Sequence, residues 1–252
     1  MLYMIGIGLG DEKDMTVNAI EAIKSCNFVY LENYTSMIGF NIKALEEFLQ
    51  KEVKLASRDL VENKDEIIEN ALNSNVALLI KGDVFSATTH SDIYLRCIKR
   101  NIKVEILHNA SIITSVSDCG LSLYKFGKTA SIPFENKNVE YPYDLIKENK
   151  DAHTLLLLDL KPENNIYMTI KEAIEYLLNV ENKRKEKIIS EDRFVVGIAA
   201  IGSKNRIIKY GRIADIIDYN FNSYPQCLIV PGKLHFIEEE MLNLFLISNY
   251  QA

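Results

Sequence analysis

The sequence is poor in the features that commit a chain to several common functions. Its 252 residues hold four cysteines. Cys26, Cys97, Cys119 and Cys227 are widely spaced and form no CxxC pair, so no disulfide framework is expected. His90, His108, His153 and His235 show neither i,i+4 spacing nor a neighbouring Cys or His, and no metal site is predicted. No serine stands in a G-x-S-x-G elbow, and there is no G-x-x-x-x-G-K-[ST] loop for nucleotide hydrolysis. Long hydrophobic runs are also missing. The strongest, near Leu155 to Leu158, is far too short to span a bilayer, so no membrane association is expected. Asp11, Glu12, Lys13 and Asp14 break the first apolar stretch, so no secretory signal is expected and a cytoplasmic setting is the default. Basic charge is in deficit, with a net charge of −6. Extended nucleic-acid binding needs clustered Lys and Arg to release phosphate counterions, so direct nucleic-acid contact is not expected.

What is present is a chain able to fold around a large core. Hydrophobic residues make up 48% of it, enough for one large α/β domain or two small ones. Short apolar runs alternate with amphipathic helical stretches, the pattern of parallel α/β structure. Leu2 to Leu9 reads as a buried strand, followed by a helix with Thr16 as N-cap and Val17, Ile20 and Ile23 on one face. Phe28 to Leu31 is the next strand, and Asn41 to Gln50 and Lys64 to Leu72 are helices. Val76 to Ile80 is fully apolar, of central-strand type, and ends at Gly82 and Asp83. Ser91 to Arg100 is helical, with Thr89 as N-cap and Asp92 completing a capping box with Asp in place of Glu. Lys103 to Leu107 is a strand, and Asn109 to Ser111 begin another helix.

Between Leu121 and Tyr143 the pattern turns irregular, and the domain crossover is expected near its start, giving domains of residues 1–112 and 113–252. A second series follows: strand Thr154 to Leu160, helix Thr169 to Asn179, strands Phe194 to Ile201 and Cys227 to Val230, a helix near Ile213 to Ile217, and a final helix from His235 to Leu246. The charged run Asn182 to Lys187 reads as a solvated loop.

Four strand ends could carry chemistry. Gly6-Ile7-Gly8-Leu9-Gly10 approaches a dinucleotide fingerprint, but Asp11 stands where the third glycine belongs. Glu12 and Asp14 add negative charge where a pyrophosphate would sit. Glu32 does match the ribose-binding acid in position, so nicotinamide-cofactor binding remains an alternative, beside a plain glycine-rich turn. S-adenosylmethionine removes the charge objection, because it has no phosphate and asks for apolar walls, backbone hydrogen bonds and a carboxylate. Lys81 to His90 lies beyond a central strand, where open sheets bind ligands; Asp83 offers an acceptor, and Ser86, Thr88 and Thr89 offer hydroxyls. The same loop is equally readable as an ordinary strand-to-helix connection. His108-Asn109-Ala110-Ser111-Ile112 admits either ligand approach or a simple N-cap, and a lone His235 after Pro231-Gly232-Lys233-Leu234 is weak in isolation.

Seven segments, Met1 to Leu9, Leu31 to Ser36, Gly82-Asp83 with Ala87-Thr88-Thr89-His90, His108 to Ile112, Leu123 to Gly127, Leu157 to Lys161 and Pro231 to His235, run nearly the length of the chain. Taken in order, they resemble the diphthine synthase family, within the tetrapyrrole-methylase-like group of methyltransferases. The resemblance implies two α/β domains with the cofactor in the cleft between them, and a homodimer. It implies S-adenosyl-L-methionine as methyl donor and S-adenosyl-L-homocysteine as product. The acceptor it implies is the 3-amino-3-carboxypropyl-modified histidine of translation elongation factor 2. Cofactor contacts carry over to Leu9, Asp83, Ser86, Ser111, Ile112, Leu158, Tyr210 and His235; no catalytic residue is assigned. Two departures stand out. Val84 replaces the family's proline after Gly-Asp, and Ala199 to Ser203 lacks an arginine often found there, so no substrate contact is expected in that segment. The competing readings are a precorrin-type tetrapyrrole methylase on the same scaffold, a non-catalytic cofactor-binding regulator of translation, and a nicotinamide oxidoreductase.

Overall fold

The computed structural model describes residues 1–37 and 41–247, and it divides into two compact units. The first comprises Met1–Ser115 with the short segments Pro162–Asn164 and Gly202–Lys204; the second comprises Val116–Lys161, Asn165–Ile201 and the remainder from Asn205. The main crossing thus falls between Ser115 and Val116, just past the expected position after Ile112.

In the first unit the chain runs β1 (Leu2–Gly6), α1 (Val17–Lys24), β2 (Phe28–Glu32), α2 (Ile42–Leu49), β3 (Lys54–Ala56), α3 (Arg58–Glu62), α4 (Glu66–Asn73), β4 (Val76–Ile80), α5 (Ser91–Lys99), β5 (Val104–Leu107) and α6 (Ile112–Ser115). The five strands form one sheet in the order β3-β2-β4-β1-β5, and every pairing is parallel. Parallel sheets are covered on both faces, so their strands are apolar at successive positions. In β4, Val76, Leu78 and Ile80 enter one core and Ala77 and Leu79 the other. Helix α1 contributes Ala19 and Ile23 to the Leu79 side, while α5 contributes Ile93 and Cys97 to the Leu78 side. The chain therefore leaves β1 and β4 in opposite directions, over opposite faces. That makes the carboxyl ends of these adjacent strands the switch point of the sheet, the place where open α/β sheets take ligands.

Thr16 caps α1 as expected, its hydroxyl accepting from the Ala19 amide at 3.1 Å. Thr89 does not cap α5. The N-cap is His90, and the Thr89 hydroxyl is spent on Glu62 Oε1 at 2.7 Å. Likewise, Asn109 to Ser111 precede the helix rather than begin it, since α6 starts at Ile112.

In the second unit the order is β6 (Ala130–Ile132), α7 (Tyr141–Asn149), β7 (Thr154–Leu158), β8 (Leu160–Lys161), β9 (Ile166–Tyr167), α8 (Ile170–Arg184), β10 (Phe194–Ala199), β11 (Ile207–Arg212), α9 (Ile213–Ile216), β12 (Gln226–Val230) and α10 (Phe236–Asn243). Here the pattern departs from the parallel expectation. The sheet order is β11-β10-β12-β7-β6, and only β6 and β7 pair parallel. Its central strand β12 is nonetheless buried along its whole length. Val195, Ala199, Leu228, Val230, Leu156 and Leu158 share one core with the inner faces of α7 and α8.

Of the charged run Asn182 to Lys187, only the part after Arg184 is a solvated loop. Helix α8 continues to Arg184, because Glu181 accepts from the amides of Lys187, Ile188 and Ile189 and so caps the turn that follows. Arg184 meets Asp144 at 2.5 Å and Glu186 at 2.8 Å. Helix α7 was also hidden, although Pro142 sits in its first turn, where a missing N–H costs nothing.

Candidate active site

The loop after β1 folds back on its own acid. Gly8 (φ +75°) and Gly82 (φ +79°) lie in the left-handed region, and each donates its N–H to the other's carbonyl, at 3.1 and 2.9 Å. A Cβ on Gly6 would lie 2.7 Å from the Gly82 carbonyl oxygen, so the end of β1 and the loop after β4 come this close only because Gly6 carries no side chain. Asp14 Oδ2 accepts from Leu9 N at 3.1 Å and Gly10 N at 2.6 Å. Two amides that a phosphate cradle would use are thus already satisfied by a carboxylate, which fits a phosphate-free ligand better than a dinucleotide. Glu32 is no ribose acid either. It is fully buried, and its oxygens accept from the amides of Tyr34 (3.2 Å) and Thr35 (3.0 Å) and from the Thr35 hydroxyl.

Lys81, which opens the candidate segment Lys81 to His90, was given no role of its own from sequence. It is 7% exposed, and its Nζ donates to Gly10 O at 2.8 Å. Burial pulls its pKa down to about 8, against the opposing pull of Asp14 and Asp11.

Asp83 is 8% exposed and fully engaged. Oδ1 accepts from Phe85 N (3.3 Å) and Ser86 Oγ (3.1 Å); Oδ2 accepts from Asn109 N (3.1 Å) and pairs with His108 Nδ1 (2.8 Å). Burial pushes the carboxyl up, but the bonds from His108, Asn109, Phe85 and Ser86 outweigh it and hold the group below its ordinary range. The acceptor read from sequence as free for a ligand is therefore a tie between two loops. Asn109 completes the tie, donating to Gly6 O at 3.1 Å and Asp14 O at 3.0 Å. Ser111 is 2% exposed, and Ile112 opens α6 beside it. Leu9 packs against Gly202, where a Cβ would come within 2.5 Å of the Leu9 Cβ. Leu9, Asp83, Ser86, Ser111 and Ile112 thus gather at the carboxyl ends of β1, β4 and β5.

The candidates of the second unit are not gathered in this way. Leu158 ends β7 in the core, 6% exposed. Tyr210 lies on the outer strand β11; its amide donates to Phe245 O (2.8 Å) and its carbonyl accepts from Ile247 N (3.0 Å). Its ring faces Phe194 at 5.2 Å, beside a cavity of about 300 Å³ that Arg212, Leu234, Glu239, Asn243 and Leu246 also line. His235 is the exposed N-cap of α10, Nδ1 accepting from the Ile237 amide at 3.4 Å. Because β7 and β12 pair antiparallel, with Val230 beside Thr154, Leu158 lies at the opposite end of the sheet from the turn that holds His235.

A buried polar network behind that turn escaped the sequence reading. Glu238, 3% exposed, accepts from Ser122 N (2.9 Å), His235 N (2.8 Å), His153 Nε2 (3.1 Å) and Lys125 Nζ. His153, with no exposure, accepts from Gly232 N at 3.0 Å through Nδ1, which leaves the Nε2 proton for Glu238. Burial raises the Glu238 carboxyl, yet Lys125 and the three other donors bring it down to about 2. The available sequence signal was the capping box, His235 with Glu238 at its third helical position.

The sequence profile of the Tetrapyrrole (Corrin/Porphyrin) Methylases matches residues 1–217. The diphthine synthase of Methanosphaera stadtmanae is 42% identical over 248 residues, covering 96% of this chain and 94% of that one. The diphthine methyl ester synthase of Dictyostelium discoideum is 38% identical over 270 residues, covering 98% and 99%. The crystal structure of an Entamoeba histolytica protein, to which the name diphthine synthase is attached provisionally, matches with a TM-score of 0.91 at 42% identity. That match covers 98% of this chain and 99% of the other.

Proposed function

The chain belongs to the tetrapyrrole (corrin/porphyrin) methylase family, and from that premise we propose that it is an S-adenosylmethionine-dependent methyltransferase of the diphthine synthase type. Its acceptor is the 3-amino-3-carboxypropyl-modified histidine of elongation factor 2, in diphthamide biosynthesis. The observation that carries this reading is near-complete coverage at about 40% identity, on both chains, with an archaeal diphthine synthase and a eukaryotic diphthine methyl ester synthase. Relatives with those names favour it over a precorrin methylase.

The residues of the first unit fit the cofactor. Amides at Leu9 and Gly10 that face Asp14 offer no phosphate site, and the crowding at Gly6 keeps side chains out of the loop contact. Leu9, Asp83, Ser86, Ser111 and Ile112, together with Leu158, Tyr210 and His235, are the residues proposed to hold S-adenosylmethionine. Of these, Asp83 acts by fixing the loops that present the other four. When bound, the cofactor supplies an electrophilic methyl group on a sulfonium. Positioning and water exclusion then supply most of the acceleration, on the order of 7–11 kcal/mol for well-aligned reactants. A homodimer in the cytoplasm completes the reading. Phe236 and Leu244, 61% and 74% exposed on and just beyond α10, are apolar surface that a second copy would cover.

The test is mass spectrometry of elongation factor 2 carrying the unmethylated intermediate, after incubation with this protein and methyl-labelled S-adenosylmethionine. Label and mass gain on the modified histidine are expected. No transfer to it, with turnover of cobalt-precorrins instead, would replace the reading.

A further inference from the structure

His108 and Asp83 form an oriented pair. Asp83 receives hydrogen bonds from two backbone amides and one hydroxyl. Its carboxyl is held below the ordinary range, so it accepts and does not donate. The proton in the 2.8 Å contact to His108 must therefore sit on Nδ1. Fixing the proton there gives the neutral ring a lone pair on Nε2. The geometry places that lone pair outward, because the Asp83 side chain is 10% exposed while that of His108 is 67% exposed. No described residue hydrogen-bonds Nε2. The arrangement is a carboxylate-oriented imidazole at the carboxyl end of β5, one loop from the β1–β4 switch point.

Resting on the function proposed above, we infer that His108 Nε2 is the base that takes the proton from the substrate amine during N-methylation, with Asp83 as its positioning partner. The amine nitrogen forms a bond to the methyl carbon as the carbon–sulfur bond breaks, and that electron pair goes to sulfur, leaving a neutral thioether. The nitrogen carries its positive charge and, for a primary or secondary amine, a proton that must leave before it can attack again. A lone pair held outward in a fixed orientation suits that transfer. A carboxylate acceptor has no proton to lose. Ester formation at the same side chain therefore needs no base, and His108 divides the two reactions.

The experiment uses full-length His108→Gln and His108→Ala with elongation factor 2 bearing the unmethylated intermediate, and follows methyl-ester and methyl-amine products separately by mild alkaline hydrolysis and mass spectrometry. The expected result is N-methylation slowed by about 10²–10⁴-fold, the usual contribution of a positioned base. Ester formation on an already N-methylated substrate should hold within about threefold, as should the S-adenosylhomocysteine Kd, on the same ground that neither step needs the base. Added imidazole should restore part of the N-methylation in His108→Ala. Equal slowing of both products, or no slowing of either, would overturn the assignment. A wild-type protein that binds no S-adenosylhomocysteine and transfers no methyl group would remove the function itself, and this role with it.

Discussion

In the parallel unit, ionisable side chains collect at one end of the sheet: Asp14, Lys81, Asp83 and His108 all lie in loops that follow β1, β4 and β5. In the second unit, the half-buried Glu181 and the buried Glu238 sit on helices and staple turns instead. The difference follows from strand direction. A parallel sheet sends every carboxyl end to the same edge, so polar loop residues converge on one spot. Antiparallel strands alternate their ends, and β7 and β12 send Leu158 and Val230 to opposite edges. The polar loop residues of the first unit therefore meet at one edge of its sheet, while Glu181 and Glu238 of the second hold its own backbone.

The largest effect that sharpens this comparison is expected from Glu238→Ala. It leaves His153 Nε2 and the Ser122 and His235 amides without their acceptor, while Lys125, a third exposed, keeps its bond to Lys233 O. Each buried donor left unpaired costs about 1–3 kcal/mol. Denaturant unfolding should show the loss, with S-adenosylhomocysteine affinity falling less than stability does. Glu238 has its folded pKa depressed to about 2 from 4.5, so its contribution is full above the unfolded value and disappears as pH falls through that window. The variant should show a flatter acid-side stability curve. A variant as stable as wild type would break the contrast.

Asp83→Ala comes next and should act the other way round. Removing the tie between the β4 and β5 loops should weaken S-adenosylhomocysteine binding about tenfold, near 1.4 kcal/mol, with a smaller change in melting temperature. Unchanged affinity by calorimetry would take Asp83 out of the site and put the two units on the same footing.

The smallest effect concerns Lys81. Its folded pKa of about 8 lies below the unfolded 10.5, so between those values the unfolded chain binds more protons and wild-type stability gains as pH rises. Lys81→Met lacks that gain. The stability difference between variant and wild type, measured at matched pH, should therefore shift in favour of wild type from pH 8 to pH 10. A constant difference would mean that the buried ammonium does not titrate with folding.

Much of the first unit was legible because its rules are local. The all-apolar Val76 to Ile80, the Thr16 cap and the glycines after β1 each carry their meaning within a few residues. The second unit was misread as parallel because strands buried on both faces look alike in either direction, and Gln226 to Val230 has the same pattern as β4. Thr89 failed as a cap because Glu62 competes for its hydroxyl, and that competitor comes from a distant helix.

The sequence by itself determined where strands end in glycine, acid and hydroxyl, and its ordered segments marked the family. Only the tertiary structure decided what those groups do. Asp83 reads as a free acceptor until β5 brings His108 and Asn109 onto its second oxygen, twenty-five and twenty-six residues away in sequence. Hydrogen bonds between loops depend on strand order and direction, which residue spacing does not encode, and that dependence is why the pair was visible only once the sheet had formed.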